Sequence, residues 1–88
     1  MGKPLVLDTA KEIIYGEREN DYGSASANFK RIATLWSAIL GMEVTADQVV
    51  LCMIGLKMAR LVNTPDHEDS WVDIAGYVGV WDKVRRGE

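Results

Sequence analysis

TADQVVLCMIGLKMARLV (residues 45–62) is the stretch on which the fold turns. Thr45 with Gln48 three residues on is a capping box, each side chain satisfying a backbone amide that the first helical turn leaves orphaned. Asp47 suits the positive end of the helix dipole. The body of the stretch is apolar nearly all round. Val49, Met53, Leu56 and Ala59 cover one side, Val50, Ile54 and Leu61 a second, Leu51, Met58 and Val62 a third. A helix apolar on every side is expected to be buried, so this one is placed at the centre of an all-α fold. Gly55 costs about 1 kcal/mol against Ala in a helix. Close approach of a neighbouring helix is the expected compensation.

Three further helices are expected around it, giving approximate ranges of 9–19, 24–40, 46–63 and 67–86 in a single domain spanning 1–88. The first begins near Asp8 or Thr9, with Thr9 and Glu12 as a second capping box and Ala10, Ile13, Ile14 and Glu17 along one stripe. Asn20, Asp21, Tyr22 and Gly23 form a turn signal that ends it. The second carries Phe29, Ile32, Ala33, Trp36, Ile39 and Leu40 on one face, with Asn28, Lys30, Arg31, Thr34 and Ser37 opposite and Gly41 as C-cap. The fourth follows Pro65. Its expected apolar stripe is Trp71, Ile74, Ala75, Val78 and Trp81, and Lys83, Arg85 and Arg86 form a solvated cluster at its dipole's negative end. No segment alternates as a strand does. The architecture expected is a compact four-helix bundle.

Composition narrows the function. The chain has 88 residues, ten Lys and Arg against thirteen Asp and Glu, and a formal net charge of −3, so a non-specific grip on nucleic acid is not expected. One cysteine excludes an internal disulfide and a Cys-based zinc site; Cys52 reads as a small core residue. No apolar run approaches the roughly 18–20 residues that span a bilayer, and no signal peptide is evident, which points to the cytoplasm. The third helix is apolar on more sides than three neighbours cover, which predicts a homo-oligomer, a dimer or larger.

The chemistry concentrates in the charges of the third helix. Lys57 and Arg60 are three residues apart and share a face. Cations on a mostly buried helix need anions or a path to water. The anions are either internal, from Asp69 and Asp73 on the fourth helix and Glu17 and Asp21 at the end of the first, or they belong to a ligand, most simply a phosphate. The same four acids are candidate ligands for Mg²⁺, which takes oxygen donors and keeps waters and substrate phosphates. Tyr22 and Trp71 are candidates for stacking on a base, with a core role the alternative for Trp71. His67 reads as a turn residue at a helix start.

Read in order, Asp21-Tyr22-Gly23, Thr45-Ala46-Asp47-Gln48, Lys57 with Arg60, and the run from Asp69 through Trp71 and Asp73 to Tyr77 resemble a group of small phage and bacterial proteins. These look related to the nucleotide modification associated domain 1 family, itself similar to a distant branch of the MazG-like all-α nucleoside triphosphate pyrophosphatases. The resemblance covers nearly the whole chain. It implies a helical, usually oligomeric protein that binds or acts on nucleotides. It also implies a cytoplasmic setting, the host's if a phage encodes the chain. MazG-like enzymes hold Mg²⁺ with acids on two helices, and Asp73 matches the final aspartate of the closing helix. The chain departs from that pattern at Ser70, where a glutamate is usual, and over 49–61, where Lys57 and Arg60 stand in place of a glutamate cluster.

Two readings follow from this. In the first, the protein binds nucleotides, with Mg²⁺-dependent pyrophosphohydrolysis as its catalytic form: Asp69 and Asp73 hold the metal, and Lys57 and Arg60 neutralise phosphates. In the second, it is a non-catalytic module, either sequestering a nucleotide or serving as a phage accessory or host-interaction protein.

Overall fold

The fold was analysed in a computed structural model that describes residues 2–16 and 24–88. It is a compact all-α fold with the order α1 (Val6–Tyr15), α2 (Ala25–Leu40), α3 (Ala46–Asn63) and α4 (Glu68–Arg86), and no strand occurs among the described residues.

Local chemistry sets most of the helix ends. Thr45 Oγ1 accepts from the Gln48 amide at 3.2 Å, and the Gln48 side chain accepts from the Thr45 amide at 2.9 Å, which is the expected box. Ser24 caps α2 by accepting from the Ala27 amide, and Gly41 closes it at φ 69°, a left-handed conformation that glycine adopts without a Cβ penalty. Between α2 and α3, Ser37 acts as a latch. Its Oγ receives the Val44 amide at 2.8 Å and donates to the Ala33 carbonyl at 2.7 Å. A residue assigned to the polar side of α2 is thus half-buried and holds the turn. The Thr9–Glu12 box does not form. Helix α1 starts three residues before Thr9, with Leu5 as N-cap and no side-chain cap, and Thr9 Oγ1 donates back to the Leu5 carbonyl at 3.4 Å.

Packing revises the expected arrangement. Helix α4, not α3, is the hub: it packs on α1, α2 and α3, whereas α3 meets only α2 and α4. Helix α3 buries Val49, Val50 and Leu61 and leaves Leu51, Cys52, Leu56, Met58 and Val62 exposed. Cys52 is therefore a surface thiol rather than a core residue. The glycine expectation also moves. A Cβ on Gly55 would meet nothing within 4 Å, while one on Gly79 would lie 3.4 Å from the Ile14 side chain and one on Gly76 3.5 Å from it. The close approach is thus α1 against α4, through the two glycines of α4.

The buried face of α4 is Ser70, Val72, Gly76, Val80 and Lys83. The expected stripe lies largely on the other side, with Trp71, Val78 and Trp81 all exposed. Large side chains normally mark a core face, but here close helix approach needs small ones, so the pattern misdirects. On α2 the core face likewise ends early: Phe29 and Ala33 are buried, and Ile39 and Leu40 are exposed. The central cluster joins Ile14, Phe29, Ala33, Val49, Val50 and Val80.

Candidate functional site

Lys57 reaches from α3 to Asp73 of α4, Nζ to Oδ2 at 3.0 Å. About a quarter of the lysine side chain and a third of the aspartate are exposed, so the pair is partly wet. It lines a cavity of about 320 Å³ bounded by all four helices. Helix α1 contributes Ile13 and Ile14, α2 contributes Asn28, Phe29 and Ile32, and α3 adds Met53 beside Lys57. Helix α4 places Asp73 and Tyr77 one turn apart on the same wall, and Lys83 further along. Phe29 and Tyr77 meet edge to face, centroids 6.5 Å apart at 77°, an arrangement that suits the charge distribution of two rings. The cavity therefore combines apolar and aromatic walls with a few polar groups, the usual composition of a small-molecule site.

Lys83 is buried, which corrects its assignment to a solvated tail. Its Nζ donates to the Ile14 carbonyl at 2.7 Å and lies 4.6 Å from the centroid of the Tyr15 ring. The last carbonyls of a helix lack intrahelical donors, so the ammonium caps the C-terminus of α1 and complements its dipole. Arg85 and Arg86 do remain at the surface, both paired with Asp82, and Arg85 stacks over Trp81 at 5.0 Å.

The other candidates from sequence are not gathered at the cavity. Arg60 is exposed and does not line it. Asp69 is exposed in the first turn of α4. Trp71 is half exposed, and its indole N–H donates to the Pro65 carbonyl at 2.9 Å, tying the α3–α4 connection to α4. His67 is the N-cap residue of α4, with Nδ1 2.8 Å from the Oγ of buried Ser70. Glu17, Asp21 and Tyr22 lie outside the described residues. Among the described residues no group of three or more His, Cys, Asp or Glu side chains is placed to hold a metal ion.

Sequence reading missed Asn28, Tyr77 and Lys83 as cavity residues. Signals for two of them were present. Tyr77 stands four residues after Asp73, and Lys83 seven after Gly76, so each shares a helix face with its neighbour. Asn28 offered none, because it stands with Lys30, Arg31 and Thr34 on the side of α2 that reads as polar.

The family model for a domain of unknown function, DUF6378, matches residues 5–85. The chain belongs to this family. It is 50% identical over 84 residues to the Gene 55 protein of Mycobacterium phage L5, covering 94% of this chain and 54% of that protein. It is 40% identical over 79 residues to the Gene 55 protein of Mycobacterium phage D29, covering 90% of this chain and 52% of that one. The chain thus spans about half the length of these phage relatives. No solved structure matches it. No helix among the described residues is long and apolar enough to cross a membrane.

Proposed function

We propose that the cavity binds a phosphate-bearing small molecule of nucleotide size, with Lys57 as the cation that meets the phosphate and Asp73 as the group that orients it. The carrying observation is the Lys57–Asp73 pair at the wall of the 320 Å³ cavity. A partly exposed ion pair contributes only about 0–1 kcal/mol to stability. Stability is therefore a weak reason to place a charge on an otherwise apolar helix, and a ligand is a better one. The volume lies at the lower end of the ~300–1,000 Å³ typical of ligand pockets. Phe29 and Tyr77 supply an aromatic wall against which a base can pack. The resemblance to the nucleotide modification associated and MazG-like families, which the DUF6378 match neither includes nor opposes, adds support from sequence. The phage origin of the relatives favours action in a host cytoplasm.

Mg²⁺-dependent pyrophosphohydrolysis is the catalytic form of this proposal. Asp69 and Asp73, four residues apart on α4, are its metal candidates, together with Glu17 and Asp21. The described acids do not make a metal cage by themselves, and Asp73 is engaged by Lys57.

The test is thermal unfolding with nucleoside mono-, di- and triphosphates, each with Mg²⁺ and with chelator. A ligand at 100 times its Kd stabilises by about 2.7 kcal/mol, which is about 10–20 °C for a domain of this size. At least one nucleotide should produce such a shift. Lys57→Met should weaken its binding about 10–150-fold, the equivalent of the ~1.5–3 kcal/mol of a charge-assisted hydrogen bond. A shift that requires Mg²⁺ and yields pyrophosphate favours the hydrolase. A Mg²⁺-independent shift favours a sequestering module, and absence of any shift on folded protein defeats the proposal.

A further inference from the structure

The outward side of α3 leaves a run of large apolar side chains uncovered. Leu51, Leu56, Met58 and Val62 are between 57% and 85% exposed. Lys57 turns inward to Asp73, and the stripe of Leu51, Gly55, Met58 and Val62 carries no charge between Asp47, one turn before Leu51, and Arg60 on the flank beside Leu56. Beside its N-terminal half runs a mostly apolar groove of about 240 Å³, walled by Val50, Leu51 and Ile54 of α3 and by Val78 and Trp81 of α4, with Asp47 also lining it. Its C-terminal half carries protruding side chains instead, Met58 and Val62.

We propose that this face seats a second copy of the chain, α3 against α3, antiparallel about a two-fold axis near Gly55 and Leu56. Groove and protrusions lie at opposite ends of the same helix. Only the antiparallel arrangement lays Met58 and Val62 of each copy over the groove of the other, and it does so twice, as an isologous interface requires. The midpoint between groove and protrusions falls at Gly55, where a Cβ would meet nothing within 4 Å. A glycine at the crossing lets two helix backbones approach closely, which accounts for a residue unfavourable in an exposed helix. The antiparallel arrangement also holds the two Asp47 carboxylates at opposite ends of the interface, about 25 Å apart along the helices, so they do not repel each other at close range. Leu51, Met58, Val62, Val78 and Trp81 offer roughly 100 Å² each, about 500 Å² of the ~800 Å² per partner of a standard interface.

Sedimentation equilibrium of the whole chain at micromolar concentration tests this. The expected mass is twice the 9.8 kDa of one chain. Gly55→Arg, which projects into open space within one copy, should sediment at the single-chain mass with unchanged helical circular dichroism. Orientation is read by oxidation. Ala59→Cys should form a covalent dimer with Cys52 of the other copy, and adding Cys52→Ser should abolish it. A wild-type chain that sediments as a monomer overturns the proposal, whether α3 is then bare or covered by another protein. So does a Gly55→Arg dimer, and so does cross-linking that persists in the Cys52→Ser, Ala59→Cys double variant.

Discussion

Lys83 shows how a single side chain can serve as a helix end. The residue is 3% exposed, and its ammonium is bonded to the Ile14 carbonyl across 69 positions of sequence. Lys83→Met keeps the aliphatic stem and removes the donor. It should destabilise the fold by about 1.5–3 kcal/mol, the magnitude of a hydrogen bond to a charged group, read from the urea midpoint at constant m-value. Protection of α1 amides from hydrogen exchange should fall first, because the lost contact secures that helix. Arg85→Met, by contrast, removes a surface pair and should change stability by less than about 1 kcal/mol. Three cations that look alike near one C-terminus thus have unlike roles, and the difference is legible only when α1 is seen lying over α4.

The helices differ in how far their sequence explains them. The start of α3 is self-contained: Thr45→Ala should cost about 1 kcal/mol by chemical denaturation, whatever else surrounds it. The hub role of α4 was hidden because small residues produce it. Gly76 and Gly79 let Ile14 settle onto the helix, and hydropathy assigns glycine no weight as a core residue. Gly79→Leu should therefore overpack the α1–α4 contact and destabilise by about 1–3 kcal/mol, checked by thermal and urea unfolding. The same change at Gly55 meets no neighbour within the chain, so it should leave the fold of one copy intact and act on association instead.

At the scale of the molecule, the extents are 49 × 31 × 19 Å. The shortest is about two helix diameters, so most helices keep one side toward the outside. This is why Ile39, Leu40, Leu51, Val62 and Trp81 are exposed although each lies on an apolar helix. Four helices of this length do not enclose one another on every side, and burial of all three sides of α3 requires a further body. The candidate site obeys the same limit. Lys57 and Asp73 were legible as charges that must be answered, and they answer each other beside a cavity. Arg60, placed beside Lys57 by its spacing, stands at the surface with Asp69 and Trp71, because spacing fixes a helix face but not the neighbour it meets.

What can be read from the chain alone is therefore the local part. The all-α class, the Thr45–Gln48 box and the Gly41 cap follow from backbone amides and carbonyls that are satisfied within a few residues. Which helix lies at the centre, which face of α4 is buried, and which polar side chains share the cavity were decided only by tertiary packing. These depend on distances of approach between helices far apart in sequence. Such distances are set by glycines, which carry no side chain to mark a core face, and by a lysine, a residue almost never fully buried unless paired.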